Sequence, residues 1–298
     1  MYHRCSNNLL KVMTFNINGY FSEREDRYHW VKRSDLAMAV IQKYEPDLLG
    51  CQEVQAGNLP LFNEYLSEYA AHLGAETVIQ DDNEKAVYNP IFWKKSRFEK
   101  YSMGSFYLSQ TPGKWSKSWD SMHVRCANWI KLRCLKKGSE FIYLNTHLDH
   151  HGEQARIEGS KIIVDKIKKL RAGTDLPVII TGDFNSRAWA PPGENVNTYP
   201  FPIIPHSLPS AGTVLSVYTE NGFRDTFLEA GHINSLDTNT YHDFYGESFP
   251  PVGLRLDWIL FYNDSQKIHP KTHLIIHDAQ PPRYPSDHYP VLTEFVWE

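Results

Sequence analysis

No run of apolar residues in this chain approaches the roughly 20 that a membrane-spanning helix requires. The amino-terminal positions are interrupted by Arg4, Asn7, Asn8 and Lys11, so the apolar stretch that opens a secretory leader is missing. No membrane span is expected, and export is left open only for a chain already processed. Cysteine is scarce as well: four residues, Cys5, Cys51, Cys126 and Cys134, with no Cys-x-x-Cys pair among them. That excludes a paired-thiol redox site and argues against a disulfide scaffold. Three of the four lie in apolar strand-like runs, where a free thiol behaves as a small core residue; a reduced, cytoplasmic setting is the expectation. Strong charge of one sign is also lacking. The net charge of −4 gives no overall pull toward nucleic acid, although a local basic patch stays open. Gly-x-Ser-x-Gly, Walker-type and Gly-x-Gly-x-x-Gly motifs are absent, which removes the readings built on them.

What is present is ordinary globular material, 298 residues at 41% hydrophobic and 22% charged. With no linker-like break in composition and no short repeat, one domain over 1–298 is expected. Apolar runs predict strands over Leu9–Asn16, Leu48–Val54, Pro90–Lys95, Phe98–Leu108, Ala127–Cys134, Glu140–Thr146, Leu176–Thr181, Leu254–Tyr262, Leu274–His277 and Val291–Val296. Helical spacing predicts helices over Asp35–Tyr44, Leu59–Tyr69 and Glu153–Leu170, the last with an apolar stripe of Ile157, Ile162, Ile163, Ile167 and Leu170. Strands with helices between them in each half predict an α/β fold: a four-layer αββα sandwich, two mixed sheets face to face with helices outside.

Against that scaffold stands a series of short polar motifs, each at the end of an apolar run. Asn16 closes the first strand and Glu53 the second; His147 follows Asn145-Thr146, and Gly182-Asp183-Phe184-Asn185 ends a buried strand. Asp257 opens a later strand, and Asp287 and His288 lie in Ser286-Asp287-His288-Tyr289. Charged groups are rarely buried unpaired, so a plain core has no use for this set. Gathered at one sheet edge they would form a divalent-metal site with an acid and a base beside it. Mg²⁺ prefers hard oxygen ligands and commonly takes one or two protein carboxylates; Glu53 and Asp287 are the candidates, with Asn16 as a neutral oxygen donor. Period-two alternation turns Asp183 and Asn185 to one side and Phe184 to the core, so that a carboxylate can take a proton from water while an amide holds that water. An Asp257–His288 pair would favour a charged imidazolium, with His147 in the same role from the other side.

Asn16, Glu53, Thr146-His147, Gly182-Asp183-Phe184-Asn185 and Ser286-Asp287-His288, in that order, resemble the endonuclease/exonuclease/phosphatase superfamily over nearly the full chain. The stretch Thr146-His147-Leu148-Asp149-His150 followed by Gly152-Glu153-Gln154-Ala155-Arg156 looks most like bacterial members. The resemblance implies in-line attack of water on phosphorus with Mg²⁺ or Mn²⁺ bound. Glu53 would hold the metal, Asp183 activate the water, Asn185 orient it, and His288, paired with Asp257, and His147 stabilise the transition state. Arg125, ahead of Asn128 and Trp129, matches a phosphate-contacting arginine of some members, and Asn128, Asp149 and Arg156 join it as candidate substrate contacts. Two departures stand out. Asn18 occupies a position where some nuclease members carry an acid, which weakens the case for two metals. A proline-rich stretch over 187–209 is long for a compact domain and is expected to border the cleft.

Other readings fare worse. His147, His150 and His151 lack the spacing of a His-x-His-x-Asp-His zinc cluster, and Ser286-Asp287-His288 cannot form a nucleophilic triad as adjacent residues of an extended segment. A non-catalytic binding module would have lost the base or the metal ligand. Substrate is less legible: Trp115 and Trp119, interleaved with Lys114 and Lys117, suit stacking on bases, or equally a surface loop with its tryptophans tucked in. A phosphate-ester substrate is expected, with nucleic acid among the candidates and no protein partner implied.

Overall fold

The computed structural model describes residues 8–20, 26–78, 86–195, 208–264 and 267–297. Its strands are β1 (Leu9–Asn16), β2 (Leu48–Gln52), β3 (Val54–Gln55), β4 (Tyr69–His72), β5 (Thr77–Val78), β6 (Ala86–Tyr88), β7 (Ile91–Lys94), β8 (Phe98–Tyr107), β9 (Cys126–Cys134), β10 (Glu140–His147), β11 (Val178–Asp183), β12 (Arg224–Asp225), β13 (Asp257–Tyr262), β14 (Ile268–Ile275) and β15 (Val291–Trp297). The α-helices are α1 (Ser34–Tyr44), α2 (Leu59–Tyr65), α3 (Glu153–Arg171), α4 (Thr213–Thr219) and α5 (Thr226–Glu229).

Alternation of side chains along the strands builds the layers. One sheet runs β14-β15-β1-β2-β7-β4 and the other β12-β13-β11-β10-β9-β8, each mixed, with a parallel pair near its middle (β1 with β2, β10 with β11). Leu10 and Val12 of β1 meet Tyr143, Ile179, Ile259 and Phe295 between the sheets. Met13 and Phe15, one residue out of phase, pack under Ala37, Val40 and Ile41 of α1. Ile142, Leu144, Ile180 and Trp258 face outward in the same way and are covered by Ile163, Val164 and Ile167 of α3 and by Val214 of α4. This is the four-layer αββα sandwich. Each fully buried Leu, Ile or Phe contributes roughly 1.5–3 kcal/mol relative to exposure, so both faces of both sheets are needed to hold it.

The intersheet layer changes character along its length. At the carboxyl ends of the parallel strands its residues become polar: Thr14, Asn16, Gln52, Asn145 and Thr181 are fully buried. They satisfy one another, Gln52 Nε2 donating to Asn145 Oδ1 at 2.7 Å and Thr181 Oγ1 to the same oxygen at 3.0 Å. Gly50 lets the sheets close here, since a Cβ on it would stand 2.4 Å from Thr181 Oγ1. A hydrogen-bonded polar floor thus lies beneath one edge of the sandwich, and the motifs sit on it.

Several boundaries differ from expectation. The helix predicted over Leu59–Tyr69 stops at Tyr65, because Tyr69 to His72 pair with β7 as an edge strand. The strand predicted from Leu254 begins only at Asp257; Leu254 and Leu256 belong instead to a separate apolar cluster with Phe249 and Val252. Of Leu274–His277 only Leu274 and Ile275 are strand, the end of a longer β14 that pairs with β15. The buried face of α3 is Ala155, Arg156, Gly159, Ser160, Ile163, Val164 and Ile167 rather than the isoleucine stripe alone. Helices α4 and α5 and strands β4, β5, β6 and β12 have no counterpart among the predicted elements. Of the proline-rich 187–209 stretch, residues 196–207 lie outside the described ones; its flanks are clasped by Arg187, which donates to both oxygens of Glu194 at 2.6 Å and to Pro209 O at 2.9 Å.

Candidate active site

The carboxyl ends of β1, β2, β10 and β11 and the start of β13 bring the motifs together. Asp183, last residue of β11, is at the centre and buried. Its Oδ2 accepts from Asn16 Nδ2 at 2.9 Å and lies 3.4 Å from His147 Nε2 and 3.7 Å from His288 Nε2; its Oδ1 accepts from the Asn185 amide at 2.9 Å. Asn16 Nδ2 also donates to Glu53 Oε1 at 3.0 Å, tying the two sheets' motifs to each other. His288 Nδ1 and Asp257 Oδ2 are 2.8 Å apart, both groups buried, so the expected pair is formed.

Asn185 donates from Nδ2 to Leu148 O and to His147 Nε2, both at 2.9 Å. Asp287 accepts from Asn18 Nδ2 at 2.5 Å; burial and, after it, the Asp287 charge raise the pKa of Glu53, placing the two carboxylates within electrostatic reach. Phe184 turns back to stack on Trp258 at 4.4 Å, which anchors the Asp183–Asn185 turn in the core.

Backbone strain gathers here. Asn18, Glu53, Asn185, Asp243 and Phe244 all have φ between 44° and 63°, a region that costs a non-glycine residue of order 1–3 kcal/mol and persists where the surroundings over-determine it. Glu53 breaks β2 from β3 in this way, and its side chain is half-buried.

Burial and charge set the protonation states. Removal from water pushes Asp183 up to about 7, even though His288 and Asn16 pull the other way. Burial alone would lower His288, but the carboxylates of Asp257 and Asp183 overcome it and hold the imidazole at about 10, protonated at neutrality. His147 is different: burial, reinforced by the Arg125 cation, holds it well below its usual range. A neutral His147 that accepts from Asn185 orients that amide, so the charged role expected for it is not the one its surroundings favour. Three ligating atoms of Asp183, Asp257 and His288 lie within 4.8 Å of one another. Since His288 Nδ1 is already engaged by Asp257, the donors better suited to a hard cation are the oxygens of Glu53 and Asp287; Asn16, expected as a neutral oxygen donor, instead turns its amide nitrogen to Glu53 and Asp183 while its Oδ1 accepts from the Asn18 amide at 3.0 Å.

The remaining predicted residues divide. Arg125 is side-on to Asp149 (Nε to Oδ2 3.5 Å) and 3.2 Å from His150 Nδ1, and its charge is felt by both Glu53 and His147, so it stands at the mouth of the site. Asp149 is occupied by the backbone amides of Met122, His123, His151 and Gly152 at 2.8–3.2 Å, an anchor for two loops. Arg156 is buried beneath it, donating to Asp149 O at 2.9 Å and to Glu153 at 2.6 Å. Asn128 is fully buried between the Ala75 amide and Asn89 O. Trp115 is 49% exposed and Trp119 half-buried, on a loop joined to α3 through Asp120, which accepts from the amides of Gln154 and Ala155. Residues that the sequence reading passed over include Arg33, Thr240 and His242. Arg33 is buried and donates to the carbonyls of Ile17, Asn18, Gly19 and Pro285, gripping the turns that carry Asn18 and Asp287. No periodicity marks such a residue, since it sits in a short helix-entry segment with an ordinary surface composition.

Comparison with known proteins agrees with the fold. A model of the family described as "Endonuclease/Exonuclease/phosphatase family" matches residues 13–288. A mannosyl-6-phosphatase of Bacteroides thetaiotaomicron is 28% identical, with 97% of this chain and 100% of that one covered at a TM-score of 0.79. A further endonuclease/exonuclease/phosphatase family protein of the same organism is 27% identical, with 98% of each chain covered and a TM-score of 0.77. A probable RNA exonuclease of Schizosaccharomyces pombe is 27% identical over 59% of this chain and 36% of its own length. The chain spans little more than a third of the curated relatives it matches, 36% and 39%.

Proposed function

Because the chain belongs to the endonuclease/exonuclease/phosphatase family, whose members hydrolyse phosphoester bonds, we propose that it is a divalent-metal-assisted phosphoesterase acting on a small phosphate ester. The observation that carries this reading is the ring around Asp183: an amide from Asn16, two imidazole nitrogens at 3.4 and 3.7 Å, and a second carboxylate behind His288. Asp183 accepts the proton of the attacking water; a pKa near 7 suits a base that must hold and release protons at neutral pH. Asn185, braced by His147 and Leu148 O, orients that water. The new O–P bond forms as the ester O–P bond opposite it breaks. His288, charged and backed by Asp257, stabilises the negative charge that develops and delivers a proton to the departing oxygen.

Glu53 and Asp287 would hold Mg²⁺ or Mn²⁺, with Asn16 bracing Glu53 through its amide nitrogen. A pair of neighbouring carboxylates, in which burial and the Asp287 charge raise the pKa of Glu53, offers hard oxygen donors that fit such an ion and fit zinc poorly. When bound, such an ion supplies Lewis-acid polarisation of a phosphoryl oxygen. Arg125 is placed to meet another.

A small ester is favoured over a long nucleic acid by the charge around the site. Arg156 and Arg33 are buried and bonded to carbonyls of the chain itself, and the net charge is −4, whereas backbone tracking needs a row of exposed cations. The likeness to the mannosyl-6-phosphatase over nearly its whole length points the same way. The test is release of inorganic phosphate from hexose phosphates against release of nucleotides from single-stranded oligonucleotides. Turnover of the oligonucleotides alone would transfer the proposal to a nuclease and give Trp115 and Trp119 a stacking role.

A further inference from the structure

His288 and Asp257 lie 31 residues apart in the chain, and one fully buried residue, Thr240, joins the two segments. Thr240 Oγ1 accepts from the amides of Leu256 at 2.9 Å and Asp257 at 3.0 Å, and faces Leu254 O at 3.4 Å. A threonine hydroxyl has two lone pairs and one proton, and all three are used. The Thr240 backbone meanwhile bonds on both sides: its amide donates to Leu254 O at 2.9 Å, and its carbonyl accepts from Tyr289 at 2.7 Å. Two residues on, the His242 amide donates to Asp287 O at 2.8 Å, and the Tyr241 ring lies 5.0 Å from that of His288. The strained pair Asp243 and Phe244 then closes the strap, with Phe244 stacked on Tyr28 at 4.3 Å.

We propose that Thr240 is a positioning residue for phosphoester hydrolysis: its hydroxyl fixes the turn that presents Asp257, and its backbone fixes the segment that presents His288. This rests on the reading that Asp257 and His288 act as a pair. The amides of Leu256 and Asp257 are received by this hydroxyl at the turn where the regular ladder of β13 begins. An isosteric Val keeps the shape and removes the acceptor, leaving two amides free to swing the carboxylate away from Nδ1; because Glu53 hangs from β2 and the strap's backbone bonds to Asp287 and Tyr289 do not use the hydroxyl, substrate capture would be spared.

The test compares Thr240→Val with Thr240→Ser in kcat, KM and the one-dimensional proton spectrum of the whole protein, assigned through His288→Gln. Expected for Thr240→Val are a kcat lower by about 10–100-fold, in the range of a misaligned catalytic group, a KM within about twofold, and loss or displacement of the downfield Nδ1 proton of His288. Thr240→Ser should restore all three. An unaltered kcat and downfield proton in Thr240→Val, or a Thr240→Ser as impaired as the valine variant, would overturn the proposal, the latter by assigning the effect to the methyl group. If Thr240→Val does not fold, Thr240→Cys, a weak acceptor of similar size, takes its place with the same outcomes. The spectrum needs no substrate, so loss of the proton in a protein without phosphoesterase activity would sink the functional reading while leaving the positioning one standing.

Discussion

Asp183 carries the account at the scale of single residues. Its carboxylate is buried among an amide and two imidazoles, and no core requirement explains a carboxylate there: it meets the sheets' polar floor and not an arginine. Asp183→Asn keeps size and hydrogen bonding but cannot take a proton, and kcat should fall at least ~100-fold, with the melting temperature changed little or raised. The buried histidines give a second prediction. His242 is fully buried, stacked on Tyr289 at 3.9 Å, and burial lowers its pKa from 6.5 to about 3. The unfolded chain therefore binds a proton near pH 6.5 that the folded chain refuses until about pH 3. Stability from this group is complete above 6.5 and is lost as the pH falls toward 3. His242→Asn, which retains an acceptor for the Gly246 amide that now meets Nδ1 at 3.1 Å, should flatten the fall in melting temperature between pH 6.5 and 4. An unchanged slope would mean that other groups govern the acid limb.

Elements bring these residues within reach of each other, and their own close fit can be probed. Gly50 of β2 faces Asn145 and Thr181 across the intersheet layer, where an added Cβ would stand 2.4–2.5 Å from side-chain oxygens. Gly50→Ala should cost about 1–3 kcal/mol of stability, as overpacking does, measured by urea denaturation, and should lower activity because Gln52 and Asn145 support the floor under Asn16. At this scale the sequence was a good guide where one signal governed. Buried strands such as β1, β10 and β15 follow from mainly apolar runs, and α1 and α3 from helical spacing. It was a poorer guide where tertiary pairing chose the outcome: Tyr69–His72 became a strand because β7 offered an edge, and Leu254–Leu256 left β13 because Thr240 took their backbone. The strand-end motifs were legible since each sits where an apolar run stops. Thr240, Arg33 and Asp149 act through backbone groups of distant segments, and such contacts leave no pattern in the neighbouring residues. For Asp149 and Arg156 the structure moves the emphasis from contact with substrate to support of the loops around it.

For the whole molecule, two mixed sheets whose parallel strands end at one edge explain why residues from Asn16 to His288 converge. The four-layer architecture supplies a rigid floor and leaves loops to choose the substrate. Among the described residues no helix is long and apolar enough to cross a membrane. If the substrate is a small ester, hydrolysis should change only modestly between 50 and 200 mM salt; a nucleic-acid reader with 6–10 phosphate contacts would lose about 10³–10⁵ in affinity over that range. A steep salt dependence with the true substrate would contradict the small-ester reading.

The central claim, hydrolysis of phosphate esters by Asp183 beside a carboxylate-held divalent ion, meets its most direct test in one assay. Phosphate release from hexose phosphates is followed for the wild type stripped with EDTA, the same protein with Mg²⁺ or Mn²⁺ restored, and Asp183→Asn with metal. The account predicts activity in the restored wild type and loss of at least ~100-fold in the other two. Hydrolysis that survives chelation, or an Asp183→Asn variant as active as the wild type, would contradict it.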